Sequence, residues 1–387
     1  MYGYLSSLAA SLKSGGRLKV LLPDWHGDRI ALVLDDGAGR PRPVALRIPG
    51  EQPRRYVRPA SRVALPSTER ADQAFSFLDA GKKTAILRVV SMAGYREAFE
   101  MWRAMGQSDP GIAAYASQVY RRFHGSEPPA DEGELVAGLP SATDLFRDLV
   151  EQMGRARTET LLVDVRDNGG GNSFMAAILV YFLYGAERVR DAGPGYAIAR
   201  YSDLFFRTQT NNSLELVNRG RDVPLVVGDY DFSEEAAYRA ARGRPRMADA
   251  KDFAGEMERL AFAPPTFVAE ARTLVFSGHY RPKRVVVLTA PGTYSAAFDL
   301  AVALYQMGAE LVGTPPAQAG NCFIDTLPFT LPNSGLAGSV AYKRMVTFPE
   351  DEAMGKVLKP HRALTYQRLA QWGFDPNAEV LLALERP

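Results

Sequence analysis

The sequence predicts an α/β protein built on mostly parallel strands. Three observations predict it. Residues 160–184 read as strand, glycine loop and helix. Residues 284–306 repeat that order and are followed at once by a further apolar run at 310–313. A short apolar run at 84–90 precedes both. Apolar runs of strand length that alternate with helix-length stretches place strands side by side, with helices on the faces.

The elements follow in order. Arg29-Ile-Ala-Leu-Val-Leu34 and Val44-Ala-Leu-Arg-Ile48 flank a Gly/Asp-rich turn, which is a hairpin signal. Pro and Arg crowd residues 49–66, as in a linker. The run at 84–90 is a strand, with an amphipathic helix expected at 95–105. Residues 106–140 are rich in Gly, Pro and acidic residues and read as loop with some helix. Leu145, Phe146, Leu149, Val150 and Met153 recur at helical spacing, with Ser141 or Thr143 as the cap. Residues 185–280 are polar and read as an insertion that is a lid, an oligomer contact or an irregular extension of the core. The expected division is a small β-rich unit at 1–60, a linker at 61–79, and a first core half at 80–184. The insertion at 185–280 and a second core half at 281–387 complete it.

Composition narrows the function. The 387 residues hold 46 Lys+Arg and 44 Asp+Glu, a net charge of +2, and are 46% hydrophobic. These are values of an ordinary globular protein of two or three domains. The balanced charge gives no expectation of a nucleic-acid partner. The single cysteine, Cys322, excludes an internal disulfide and a cysteine-based zinc site. The four histidines, at 26, 124, 279 and 361, are too scattered for a His-x-x-x-His site. No metal and no cofactor are therefore expected. No run of about 18 apolar residues occurs, so no membrane span is expected. Residues 1–10 lack a basic flank and a cleavage site, so no signal peptide is expected. That fits a cytoplasmic location if Met1 is native. A cell-envelope or secreted location fits if the chain is a mature or trimmed form.

Two loops carry the chemistry. Gly169, Gly170 and Gly171 sit between a strand and a helix. Such a loop is either a tight turn or a cradle of backbone N–H groups for an anion, helped by the following helix N-terminus. The absence of Gly-Lys-Ser/Thr and of G-x-G-x-x-G weighs against phosphate. Ser295 stands at the head of a helix just after an apolar strand and Pro291-Gly292. It is either an N-cap or an exposed nucleophile, with the Ala296 N–H facing a bound carbonyl oxygen.

Taken together, the loops resemble a known family. Leu162-Val-Asp-Val-Arg-Asp-Asn-Gly-Gly-Gly171 resembles the D-x-R-x-N-G-G-G signature of the S41 peptidases. That family includes the C-terminal processing proteases, the tricorn core protease and the interphotoreceptor retinoid-binding repeats. Val286-Val-Leu-Thr-Ala-Pro-Gly-Thr-Tyr-Ser-Ala-Ala297 is similar to its nucleophile strand and turn, and Ala309-Glu-Leu-Val-Gly313 to its next strand. The resemblance spans roughly residues 80–365. It implies a ClpP/crotonase-like core of ββα units, with Ser295 as nucleophile. It implies an oxyanion hole of the Gly170, Gly171 and Ala296 N–H groups, and a peptide or protein substrate. It also implies that residues 1–60 are similar to the closing half of a PDZ-like module, although a plain hairpin explains the same residues. A homo-oligomer is compatible with the sequence.

The general base departs from the pattern. Processing members place a lysine about 25 residues after the serine. Here Ala319 and Gly320 stand at that place. The tricorn-like branch uses an early histidine and a late glutamate. His26, in Pro23-Asp-Trp-His-Gly-Asp28, is the early candidate for the base, with a turn residue as its other reading. Glu352, in Glu352-Ala-Met-Gly355 ahead of Lys359-Pro360, matches the glutamate. Its other reading is a solvated acidic loop. Lys343 would serve as base only if desolvated. Asp164 and Arg166 read as a structural ion pair. Three functions are thus in view: a serine endopeptidase, an inactive peptide- or ligand-binding relative, and a crotonase-like acyl-CoA enzyme.

Overall fold

The computed structural model describes residues 29–35, 41–47, 59–106, 110–189, 195–210, 212–241, 253–259, 263–273 and 280–385. His26 and His279 lie outside the described residues. Strands β1 (Arg29–Asp35) and β2 (Pro41–Arg47) pair antiparallel, as the flanked Gly/Asp turn predicts. Ten further strands follow in chain order: β3 (Gln73–Phe77), β4 (Thr84–Val89), β5 (Thr160–Asp164), β6 (Tyr196–Arg200), β7 (Tyr230–Asp231), β8 (Arg284–Thr289), β9 (Glu310–Gly313), β10 (Asn321–Thr330), β11 (Ala337–Val346) and β12 (Arg362–Ala363).

The core is a six-stranded sheet of order β12-β9-β8-β5-β4-β3. All its pairings are parallel except that of the edge strand β3. The expected α/β architecture with mostly parallel strands is thus observed. The near-continuous apolar runs of β5 and β8 are what a sheet covered on both faces requires. Alternation sorts their side chains. Leu87, Leu161, Val163 and Val287 face one layer of helices. Ile86, Leu162, Val286 and Leu288 face the other.

Helix α1 (Ala142–Ala156) buries Phe146, Leu149, Val150 and Met153 along one stripe. The expected cap forms, with the Asp144 N–H donating to Ser141 Oγ at 3.0 Å. Helices α2 (Phe174–Tyr184) and α3 (Ala296–Gln306) are apolar nearly all round and are buried accordingly. Helix α4 (Ala378–Leu384) covers the opposite face through Val380, Leu382 and Ala383.

Residues 61–79 differ from the sequence reading, and two further stretches gain detail. Residues 61–79, expected as linker, contribute β3 to the core sheet; its antiparallel pairing with β4 uses the partly polar pattern of an edge. Residues 106–140 contain two helices, Pro110–His124 and Glu132–Ala137. The first opens on a proline, which the initial helical turn tolerates because its missing N–H has no partner there. The described residues within 185–280 pack on the core. β6 joins β11 and β7 in a second sheet of order β10-β11-β6-β7. Phe253 and Phe267 pack with Phe174 and Tyr181 of α2. Among the described residues, no helix is long and apolar enough to cross a membrane.

Candidate active site

The glycine loop at 167–171 leaves the carboxyl end of β5 and is pinned on two sides. Asn168, fully buried, donates through Nδ2 to the Val89 carbonyl at 3.0 Å. Its Oδ1 accepts from the Gly170 N–H at 2.9 Å. The Met92 N–H donates to the Gly170 carbonyl and the Asn172 N–H to the Met92 carbonyl, at 2.9 and 2.6 Å. Gly170 and Gly171 have φ of 109° and 141°, a region that side chains rarely enter. A Cβ on Gly170 would lie 2.6 Å from Ser295 Cβ, and one on Gly171 would lie 2.2 Å from the Met92 carbonyl carbon. Glycine is thus required where this loop touches the serine.

The second loop leaves β8, the neighbour of β5. Thr293, fully buried, donates through Oγ1 to the Val165 carbonyl at 2.8 Å and accepts from the Ala290 N–H. The Tyr294 N–H donates to the Asn168 carbonyl at 3.0 Å. These bonds seat the two loops against each other at adjacent strand ends. Ser295 follows at φ 54°, ψ −127°, and α3 begins at the next residue. A non-glycine residue held there carries roughly 1–3 kcal/mol of backbone strain, which only a well-determined surrounding sustains. Ser295 makes no side-chain cap hydrogen bond, so the plain N-cap reading does not account for it. Its N–H donates to Oε1 of the buried Gln318 at 2.7 Å. The Asp299 N–H donates to its carbonyl at 3.0 Å.

The three expected oxyanion donors are not equivalent. The Gly170 N–H is taken by Asn168. The Gly171 and Ala296 N–H groups donate to no described residue. Ala296 N also lies 3.0 Å from the place a Gly170 Cβ would take, so the glycine loop and the α3 N-terminus are in contact.

The remaining residues fall in different places. Glu352 opens the short helix Glu352–Lys356 and ion-pairs with Lys356 at 2.6 Å, its side chain 83% exposed. The hydrogen bond from Lys356 holds its carboxyl below the usual range. Among the described residues nothing links it to Ser295. His124 Nε2 lies 2.8 Å from the Gly138 carbonyl. His361 Nδ1 accepts from the Leu311 N–H at 2.9 Å. Each of these rings has one nitrogen bonded to backbone. Lys343 pairs with Asp325 at 2.7 Å. Burial pulls its ammonium down, but the Asp325 carboxylate outweighs that and the net shift is upward, toward a permanent cation. A cleft of about 230 Å³ opens beside Lys343, lined by Tyr201, Phe205, Asp231, Glu234 and Tyr342.

Asp164 and Arg166 form the bidentate pair that their spacing suggests, with both bonds at 2.8 Å. Arg166 also donates to Glu379 at 2.6 Å and to Asn377 at 3.1 Å. The sequence reading missed Gln318, Asp299 and Ser173; Asn168 stood in the matched motif and Thr293 only as a possible cap, without the bonds described above. Gln318 had one available signal: an amide in the very loop where processing relatives carry their base.

A strained serine heading a helix, at the carboxyl end of a parallel sheet and facing a glycine loop, is an elbow-type serine site. That defines the class: an α/β protein with the layout of a serine hydrolase. The particular family follows, because the model of peptidase family S41 matches residues 136–361, more than half of the chain. The chain belongs to peptidase family S41 and has that family's ClpP/crotonase-like core. No curated protein matches the sequence. Among solved structures, mature CPAF is 14% identical, covering 97% of this chain and 73% of its own, with a TM-score of 0.36. The photosystem II D1 C-terminal processing protease is 13% identical, covering 88% and 56%, with a TM-score of 0.28. A lipoprotein from Streptococcus agalactiae is 10% identical, covering 78% and 68%, with a TM-score of 0.32. The chain thus spans between 56% and 73% of the length of these three.

Proposed function

We propose that this chain is a serine endopeptidase that hydrolyses peptides or unfolded protein segments through an acyl-enzyme on Ser295. The observation that carries the reading is the strained Ser295 backbone, packed directly against Gly170. In the reaction, Ser295 Oγ attacks the scissile carbonyl carbon as its proton passes to the base. The negative charge on the carbonyl oxygen is met by the Ala296 and Gly171 N–H groups, which no described residue engages. Collapse breaks the C–N bond, and the base returns the proton to the leaving amine. Water, deprotonated by the same base, then releases the acyl group.

We assign the base to His26, the residue that the family's chain order offers. Among the described residues no hydrogen bond joins His124, His361 or Lys343 to Ser295, and Lys343 is paired with Asp325. Glu352 is left out of the proposed catalytic set because its carboxylate is engaged by Lys356 at the surface.

Ser295→Ala tests the reading on casein, an unfolded substrate, with fluorophosphonate labelling in parallel. The variant should bind casein and not cut it, and it should lose the label. Cleavage at the wild-type rate by Ser295→Ala defeats the reading. A wild type that neither cuts casein nor takes the label returns the chain to the binding-protein alternative.

A further inference from the structure

The two halves of the site come from chain segments more than a hundred residues apart, and beyond the Thr293–Val165 and Tyr294–Asn168 bonds a further contact joins the two helix starts. Asp299 is bonded to both. Its N–H donates to the Ser295 carbonyl at 3.0 Å. Its Oδ2 accepts from Ser173 Oγ–H at 2.7 Å. Ser173 lies two residues after Gly171 and stands at the N-cap of α2. A serine at that place normally turns its oxygen onto its own helix. Here it does not; Asn172 Oδ1 receives the Phe174 N–H instead, and the Ser173 hydroxyl is directed to Asp299.

We propose that Asp299 is a positioning residue: bridging Ser173 and Ser295, it sets the distance between the Gly171 and Ala296 N–H groups. This rests on the reading of Ser295 as nucleophile. An oxyanion hole tolerates little error, since its donors must lie about 2.7–3.1 Å from the developing charge.

The bridge is also sensitive to pH. Burial raises the Asp299 carboxyl above the usual range, Ser173 lowers it, Asp325 of β10 raises it and Lys343 of β11 lowers it; the net direction is upward. Cys322 of β10 also faces the group. Protonation removes the anionic acceptor from Ser173, so the bridge weakens as pH falls through a value above that of an ordinary aspartate. The sign for folding is opposite. A raised carboxyl pKa means that the ionised form costs stability, so Asp299→Asn folds at least as well at neutral pH.

The experiment follows casein cleavage and the fluorophosphonate labelling rate against pH in the full chain. It compares wild type, Ser295→Ala, Ser173→Ala, Asp299→Ala and Asp299→Asn. Ser173→Ala and Asp299→Ala should lower kcat about tenfold to a hundredfold with KM little changed. Asp299→Asn keeps an acceptor for Ser173, so it should restore most of the kcat that Asp299→Ala loses. An active, Ser295-dependent wild type in which Asp299→Asn is as slow as Asp299→Ala overturns this inference alone. So do wild-type kcat values in both alanine variants. Wild-type cleavage by Ser295→Ala overturns the reading beneath it, and this inference with it.

Discussion

The Ser295 N–H donates to Gln318 Oε1 across 23 residues of chain, and Gln318 is itself buried. The strained backbone of Ser295 is therefore held from outside its own turn. Gln318→Ala leaves that N–H unpaired. The variant should cleave casein about tenfold to a hundredfold more slowly and lose about 1–3 kcal/mol in urea unfolding.

Gly170 and Gly169 should respond in opposite ways to alanine. A Cβ on Gly170 meets Ser295 Cβ at 2.6 Å and sits at φ 109°, whereas one on Gly169 meets nothing within 4 Å. Gly170→Ala should abolish labelling of Ser295 and cost about 1–3 kcal/mol from strain. Gly169→Ala should label at close to the wild-type rate. Equal rates for the two would place the serine away from this loop.

Residues 263–273 belong to the core and cannot be removed as a lid. Phe267 is fully buried, with its ring edge-on to Phe174 and Tyr181. Phe267→Ala should cost about 3–5 kcal/mol, read as a lowered urea midpoint. A loss under 1 kcal/mol would restore the lid interpretation.

Asp375 ties the C-terminal segment down in a pH-dependent way. Burial pushes its carboxyl up, but hydrogen bonds from the Arg62 and Asn377 N–H groups outweigh this, and the net direction is below the ordinary range. A depressed carboxyl pKa contributes stability that is complete above the unfolded value and is lost as pH falls through the folded one. Asp375→Asn should therefore be less stable than wild type at neutral pH. The difference should close in strong acid, as melting curves from pH 7 to pH 2 would show.

The core was legible because β4, β5, β8 and β9 are short apolar runs whose only stable use is a sheet covered on both faces. The two loops were legible only as a pair: a glycine loop after one strand and a serine after the next match a family pattern, whereas a helix-leading serine alone is an ordinary cap. Edge strand β3 was not legible, since half-covered strands carry a mixed pattern. β6 was hidden because its partner β11 lies more than a hundred residues downstream. Gln318 and Asp299 were hidden for the same reason, as their roles arise from what they meet in space. Glu352 shows the converse. A matching stretch of sequence marked it, and the fold places it in a solvated pair with Lys356.

Arg166 closes the argument in time as well as in space. It abuts the glycine loop and is bonded to Glu379, 213 residues further along the chain. A nascent chain emerges from its N-terminal end, so Ser295 and the glycine loop leave the ribosome before the residues that anchor Arg166 exist. Until residue 379 arrives, the guanidinium has only Asp164 to hold it. The full set of bonds to Arg166 thus forms only after residues 377–379 have been synthesised.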